Sequence, residues 1–360
     1  MWICLFIAQL QRLETRGSFE EFFGKAASIV YTDLLVSHPA ESSIMTTNSI
    51  YENHVGGAIV ICTSKTLDVL IESCGFHFCS AGHDGGAIRV YGNNIGLVIS
   101  RTCAYNCSTE NSKRGAFCSV QSSYNKRFFI TFTTVSSCAD KLTDNYMYAP
   151  ISIINSNSSI LNTNVSRNNL YQYSGLEITD CYVYNLRFST FSYNKASYSV
   201  SLYIKQVNSI ESNSSFCNFI GNFQTGGLFY FGQTYSYAFN SFENCIFSEN
   251  TDILFLHVAS IYYVRLFSCY VFHFGNTLHF SGVSGMSSCY KLEPTSTHSL
   301  SHLATYKCIT ETQIGNLGQL SPCQTIPPIP TSCIIYPSSE SLINNIKLLI
   351  LPLSVLINLD

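Results

Sequence analysis

Short runs of alternating apolar and polar residues recur along most of this chain, each entered by small or turn-forming residues. They read GGAIVI at Gly56, GGAIRV at Gly85, RGAFCSV at Arg114, APISII at Ala149, SGLEI at Ser174, YSVSLYI at Tyr198, GGLFYF at Gly226, TDILFL at Thr251 and NTLHFSG at Asn276. Period-2 alternation over four to six residues predicts short strands with one buried face. Paired glycines suit the strand entry because positive φ costs them little.

A second element precedes most of these strands and has the form apolar-x-x-Asn. It ends at Asn53, Asn106, Asn145, Asn168, Asn194, Asn222 and Asn250; FHFC puts Cys79 in the same place, and FHFGN reaches Asn276. Successive sites are 23 to 28 residues apart, except for one interval of 39. That interval contains QSSYNKRFF, Gln121 to Phe129, which reads as a loop bulging from an even stack. A third mark stands five residues before the Asn position, at Cys74, Ser189, Cys217 and Cys245.

A fixed period of this length signals a repeat architecture. The leucine-rich pattern L-x-x-L-x-L-x-x-N is absent, and strand alternation excludes helical repeats. The expectation is an all-β parallel β-helix of about nine coils, each strand pairing with its equivalent one turn away at roughly 4.8 Å. On that geometry Phe191, Phe219 and Phe247 pile into an internal aromatic column. The Asn positions form an amide ladder. Cys74, Cys217 and Cys245 face inward, and Cys74 and Cys103 are either bridged or buried as thiols.

The combination of G-G-A-I with F-x-x-N resembles the polymorphic outer membrane proteins of chlamydiae, and more closely the surface-protein families of trichomonad-type protists. The residues that carry it are GGAI at Gly56 and Gly85, GGLF at Gly226, and the sites ending at Asn194, Asn222 and Asn250. The resemblance covers roughly residues 45–285. It implies a right-handed parallel β-helix, display at a cell surface and an adhesive role. The bacterial members end in a β-barrel transporter, and nothing in this chain reads as one. Several coils lack both signature motifs.

The ends differ from the middle. Residues 1–44 read as an apolar start followed by a cap, with Ser18 and Glu21 forming an S-x-x-E capping box. Residues 45–285 are the β-helix. Residues 286–341 form a Cys/Pro-rich cap or stalk holding Cys289, Cys308, Cys323 and Cys333, either as two disulfides or as a linker. Residues 342–360 are an apolar tail, with Ile346 to Leu359 interrupted by Pro352. That run is short for a membrane span. It reads as a truncated anchor, as a lipid-anchor signal with Ser338 and Ser339 as attachment candidates, or as a final strand. MWICLFIAQLQR lacks a basic leader and a small-x-small site, so it is a poor signal peptide.

Composition narrows the partners. Charged residues make up 11% of the 360, and the net charge is −3 with no basic block, which argues against nucleic acid. Sixteen cysteines without a C-x-x-C pair argue against zinc ribbons and lean toward an oxidising setting, at a cell surface or secreted. Sequons start at Asn106, Asn157, Asn164 and Asn213. The ladder position would bury Asn106, which leaves Asn157 and Asn213 as glycan candidates. A flank rich in Ser, Thr, Asn and Tyr suits a host or neighbouring-cell glycan or protein.

Chemistry is sparse. Asp68, Asp84, Asp140, Asp144, Asp180 and Asp252 are scattered over different coils. GHDGG, with His83 and Asp84, reads as a solvated turn near Arg89 and Arg101, with no second carboxylate apparent one coil away. His77, His257, His273 and His279 have no metal spacing. The reading is a non-enzymatic adhesion or display protein without cofactor. A polysaccharide lyase or hydrolase on the same scaffold is the alternative, and a structural or fragmentary product the third.

Overall fold

The computed structural model describes residues 18–31, 41–109, 113–123, 126–138, 149–196, 201–207, 210–224, 227–233, 238–251, 256–258, 262–272, 283–287, 289, 297–298 and 300. Every strand pairing among them is parallel, and equivalent strands stack coil upon coil. Three long sheets result: eleven strands from Ile29–Tyr31 to Val283–Ser287, nine from Ile50–Glu52 to Tyr270–Phe272, and eight from Ile59–Cys62 to Leu256–Val258. The molecule is thus an all-β solenoid. About seven full turns are closed, rather than the nine expected, and the two longer sheets run on past them.

The interior follows from alternation. Strands of the nine-stranded sheet are three residues long, and the middle residue points inward. Tyr51, Phe76, Ala104, Val135, Val165, Phe191, Phe219, Phe247 and Val271 make one buried column. Phe219 stacks on Phe191 at 5.3 Å and on Phe247 at 5.1 Å, with the rings within about ten degrees of parallel. Where the column narrows to Ala104, Phe117 fills in and tilts against Phe76 at 5.7 Å.

Two corner columns bound this sheet, and both hold left-handed residues (φ +48° to +60°). Just after the first corner, Ser49, Cys74, Thr102, Thr133, Thr163, Ser189, Cys217, Cys245, Cys269 and Cys289 occupy equivalent sites. Each donates its hydroxyl or thiol to the carbonyl two residues earlier. From Glu72 to Ser287 the same carbonyls also accept the backbone N–H of the left-handed corner residue one coil earlier, so each hydroxyl or thiol adds a second donor at the bend. The third sequence mark is therefore one column of hydroxyl and thiol donors.

After the second corner comes the asparagine ladder. Asn168, Asn194, Asn222 and Asn250 are all fully buried. In successive pairs Nδ2 donates to the next Oδ1 at 3.0, 3.1 and 2.9 Å. Each Nδ2 also donates to a backbone carbonyl in the coil before, and each Oδ1 accepts a backbone N–H. Asn53 and Asn106 are not in this ladder. They occupy the left-handed corner one residue earlier (φ 56° and 52°), and the ladder sites of their coils are His54 and Cys107. The inward residues are Tyr51 and Ala104, not Ile50 and Cys103, so counting three onward from the wrong apolar residue shifts the motif by one. In the long interval the ladder residue is Cys138, whose N–H donates to Asn168 Oδ1 across 30 residues. Asn145 and Asn276 lie outside the described residues. QSSYNKRFF is not all loop: Arg127–Thr131 is a strand of the eleven-stranded sheet, with Phe128 buried.

A six-residue helix, α1 (Ser18–Phe23), carries Glu20 and Glu21 in its first turn, where acidic groups favour the helix N-terminus. It lies on the outer face of the eleven-stranded sheet rather than over the open end as a cap. Met45, Leu70, Val98 and Phe129 form one outward row there, and Phe19, Phe23 and Ala27 pack on it. Lys25 Nζ meets Asp68 Oδ2 at 2.6 Å beside this contact. The same row continues as Ser159, Asn185, Asn213 and Ser241, polar beyond the residues on which α1 packs.

Candidate functional site

The side chains with the most chemical potential stand on the outer face of the eight-stranded sheet. Register aligns Arg89, Ser119, Ser152, Glu177, Tyr203 and Tyr230 in one outward row. Glu177 sits between inward Leu176 and Ile178 in the strand Leu176–Cys181, so alternation points it outward. It is nevertheless only 1% exposed. Ser152, one coil earlier, donates its hydroxyl to Oε2 at 2.7 Å. Arg114 brings its Nε to 3.8 Å from Oε1.

Arg114 is itself held by the turn at Asp84, whose Oδ1 accepts the Arg114 backbone N–H at 2.8 Å. That turn is the GHDGG segment. His83 and Asp84 do not pair through the carboxylate: the His83 Nδ1 lies 2.7 Å from the Asp84 backbone oxygen. The turn needs its glycines. Gly85 has φ +79°, and a Cβ there would lie 2.2 Å from the Ile88 carbonyl oxygen.

The tyrosines flank the carboxyl group. Tyr173 stacks on Tyr203 at 4.2 Å and Tyr203 on Tyr230 at 5.0 Å. Burial pushes the Glu177 carboxyl above the ordinary value of 4.5, against the pull of Arg114 and Ser152 in the other direction. Burial, and then the Tyr230 and Glu177 groups, push the Tyr203 hydroxyl up to about 12. The arrangement offers a desolvated carboxyl, a guanidinium, a hydroxyl and aromatic walls within one outward row and its neighbouring turns. Such a set can bind a polar ring compound or present a carboxyl biased toward its protonated form.

Sequence reasoning singled out Asp84 and passed over Glu177. The only signal for it was a charged residue inside an otherwise apolar strand, SGLEI. Asp180 instead pairs with Lys205 at 3.3 Å. Asp140, Asp144, Asp252, His273 and His279 lie outside the described residues, as does the His257 side chain. His77 is buried beside Cys103 Sγ at 3.9 Å, and burial lowers its pKa. Among the described residues no three His, Cys, Asp or Glu side chains converge to hold a metal ion.

The sequons fall in unlike places. Asn157 is half-buried, and its Oδ1 accepts the Val183 N–H at 3.2 Å. Asn213 is half-buried in the middle of the eleven-stranded sheet, and Asn164 is 4% exposed. Asn106, expected to be sealed in the ladder, is half-exposed at a corner. The Cys74–Cys103 bridge is not formed: Cys103 is disulfide-bonded, whereas Cys74 is a free thiol. Cys289 is free as well, so the four C-terminal cysteines do not make two disulfides among themselves. No helix among the described residues is long and apolar enough to cross a membrane.

Compared with protein-family models, with curated proteins and with solved structures, the chain finds no match.

Proposed function

We propose that this chain is a non-enzymatic β-helix protein of a cell surface or secreted space, serving adhesion or display. Its ligand on this reading is a glycan or protein of a host or neighbouring cell. The observation that carries the reading is the outward row of Ser152, Glu177, Tyr203 and Tyr230 with Arg114 and Tyr173 beside it. Aromatic rings and charged hydrogen-bonding groups at solenoid spacing suit a repeating, polyhydroxylated partner. The motif resemblance to surface-displayed families and the disulfide at Cys103 support an oxidising, extracellular setting.

Surface labelling of intact cells, followed by glycan-array binding of the purified full chain, tests this. Labelling together with binding that Tyr203→Ala reduces at least tenfold is the expected result. An exclusively cytosolic protein would sink the reading.

One observation favours the second reading, a polysaccharide lyase or hydrolase. Asp84 accepts the Arg114 backbone N–H while Glu177 lies by its guanidinium, and Glu177 is held toward its protonated form, as a general acid requires. Release of reducing ends or unsaturated sugars from acidic or neutral polysaccharides, abolished by Glu177→Gln, would favour it over adhesion.

A further inference from the structure

We infer that the outer face of the nine-stranded sheet is the docking surface for the chain's own segment between His298 and Cys308, and that Cys308 is the partner of Cys103. Strands of this sheet put their first and third residues outward. Those side chains are sealed: Thr134 and Ser136 are 0% exposed, Ser166 2% and Asn164 4%. A single-layered flank bearing Ser, Thr and Asn would otherwise be wet, so a layer of chain lies over it.

One described residue of that layer is His298. Asn218, outward in the same column, donates its Nδ2 to the His298 carbonyl at 3.0 Å and accepts the His298 N–H at 3.1 Å. This amide reads the backbone of His298 as a neighbouring strand would. The His298 Nε2 lies 2.5 Å from the Asn244 carbonyl oxygen, and its ring meets the Phe216 ring edge-on at 6.0 Å. His298, 80 residues further on in the sequence, thus sits on the flank at the Asn218 coil.

The column identifies where the segment goes next. Register runs from Asn218 to Thr190, Asn164, Thr134 and Cys103. Cys103 is disulfide-bonded, and the other described cysteines form no disulfide. The partner is therefore Cys4, Cys308, Cys323 or Cys333. Four coil steps of ~4.8 Å separate Asn218 from Cys103, about 19 Å. The residues from His298 to Cys308 reach roughly 33 Å when extended. Cys308 closes the shortest loop from His298, the residue already seated in that column, which is the entropically favoured closure.

Blocking free thiols in the full-length protein, digesting without reductant and mapping by mass spectrometry tests the pairing. The expected product is one peptide pair joining Cys103 to Cys308, both alkylated only after reduction. Cys103 joined to Cys4, Cys323 or Cys333, or alkylated without reductant, would overturn it. Docking has its own readout, trypsin cleavage after Lys307. Reduction, or Asn218→Ala with the disulfide intact, should speed that cut at least tenfold; an unchanged rate in both would sink the docking.

Discussion

Asn222 Nδ2 donates to Asn250 Oδ1 at 2.9 Å, and the Asn222 Oδ1 receives both the side-chain amide and the backbone N–H of Asn194 at 3.1 Å. Asn222 therefore donates to the coils on both sides and accepts from the coil before, while fully buried. Asn222→Ala strands the two Asn194 donors and removes the side-chain donor to Asn250, whose Oδ1 keeps the Asn222 backbone N–H. The expected loss is about 2–4 kcal/mol, because a buried donor left unmatched costs its desolvation. Urea denaturation of the variant measures it. Asn106→Ala, at the neighbouring left-handed corner, should cost only about 1 kcal/mol of backbone strain, and equal losses for the two variants would contradict the placement of the ladder.

Phe219 lies between Phe191 and Phe247 and touches Phe229 edge-on at 5.0 Å. Phe219→Ala empties the centre of the column. A loss of about 3–5 kcal/mol is expected from lost transfer energy and the cavity together. Phe219→Leu should recover most of it in thermal unfolding.

Gly85 combines a positive φ with a Cβ position 2.2 Å from a backbone oxygen. Gly85→Ala must move the Ile88 carbonyl as well as strain its own backbone. About 2 kcal/mol or more of destabilisation follows. The same variant should weaken any binding that depends on Arg114, since the Asp84 turn holds that residue.

Glu177 is pushed toward protonation by burial. The folded protein therefore binds this proton more tightly than the unfolded chain. Its contribution to stability is full below the ordinary carboxyl value of 4.5 and is lost as pH rises toward the raised one. Glu177→Gln keeps the shape and removes the titration. Its stability should fall less than that of the parent as pH rises above 4.5, and parallel curves would refute the assignment.

The interior thiols should be slow to react. Burial pushes the Cys74 and Cys181 thiols up to about 12 and raises Cys118 and Cys245 further. The reactive thiolate is nearly absent at pH 8. Ellman's reagent should label these cysteines only after denaturant is added. Rapid labelling in the native protein would mean that the coils open.

The stacking of coils, the inward aromatics and the ladder from Asn168 to Asn250 were legible in the amino-acid order. Each is a local pattern repeated at a constant interval, and parallel in-register pairing turns sequence periodicity directly into spatial alignment. Where the anchor residue was ambiguous, as at Ile50–Tyr51 and Cys103–Ala104, periodicity could not say which side chain points inward, and Asn53 and Asn106 were misplaced by one. The phenylalanines at left-handed corners, Phe78, Phe132, Phe188 and Phe216, were equally hidden, since Phe has no preference for that backbone. Stacking holds them there: Phe188 and Phe216 lie 5.4 Å apart in consecutive coils.

The rest depended on what lies over the sheets. Glu177 points outward by alternation and reads as a solvated residue, and it becomes a buried carboxyl only because Arg114, Ser152 and the tyrosines gather around it from other coils. Met45, Leu70, Val98 and Phe129 are spaced a coil apart, and nothing in their neighbourhood says that α1 covers them. Cys103 looks like its fellow cysteines until the fold sets it under a sealed flank. Alternation assigns each side chain to a face, but solvation and pairing on the outer face are set by chain segments distant in sequence, and no repeat encodes those.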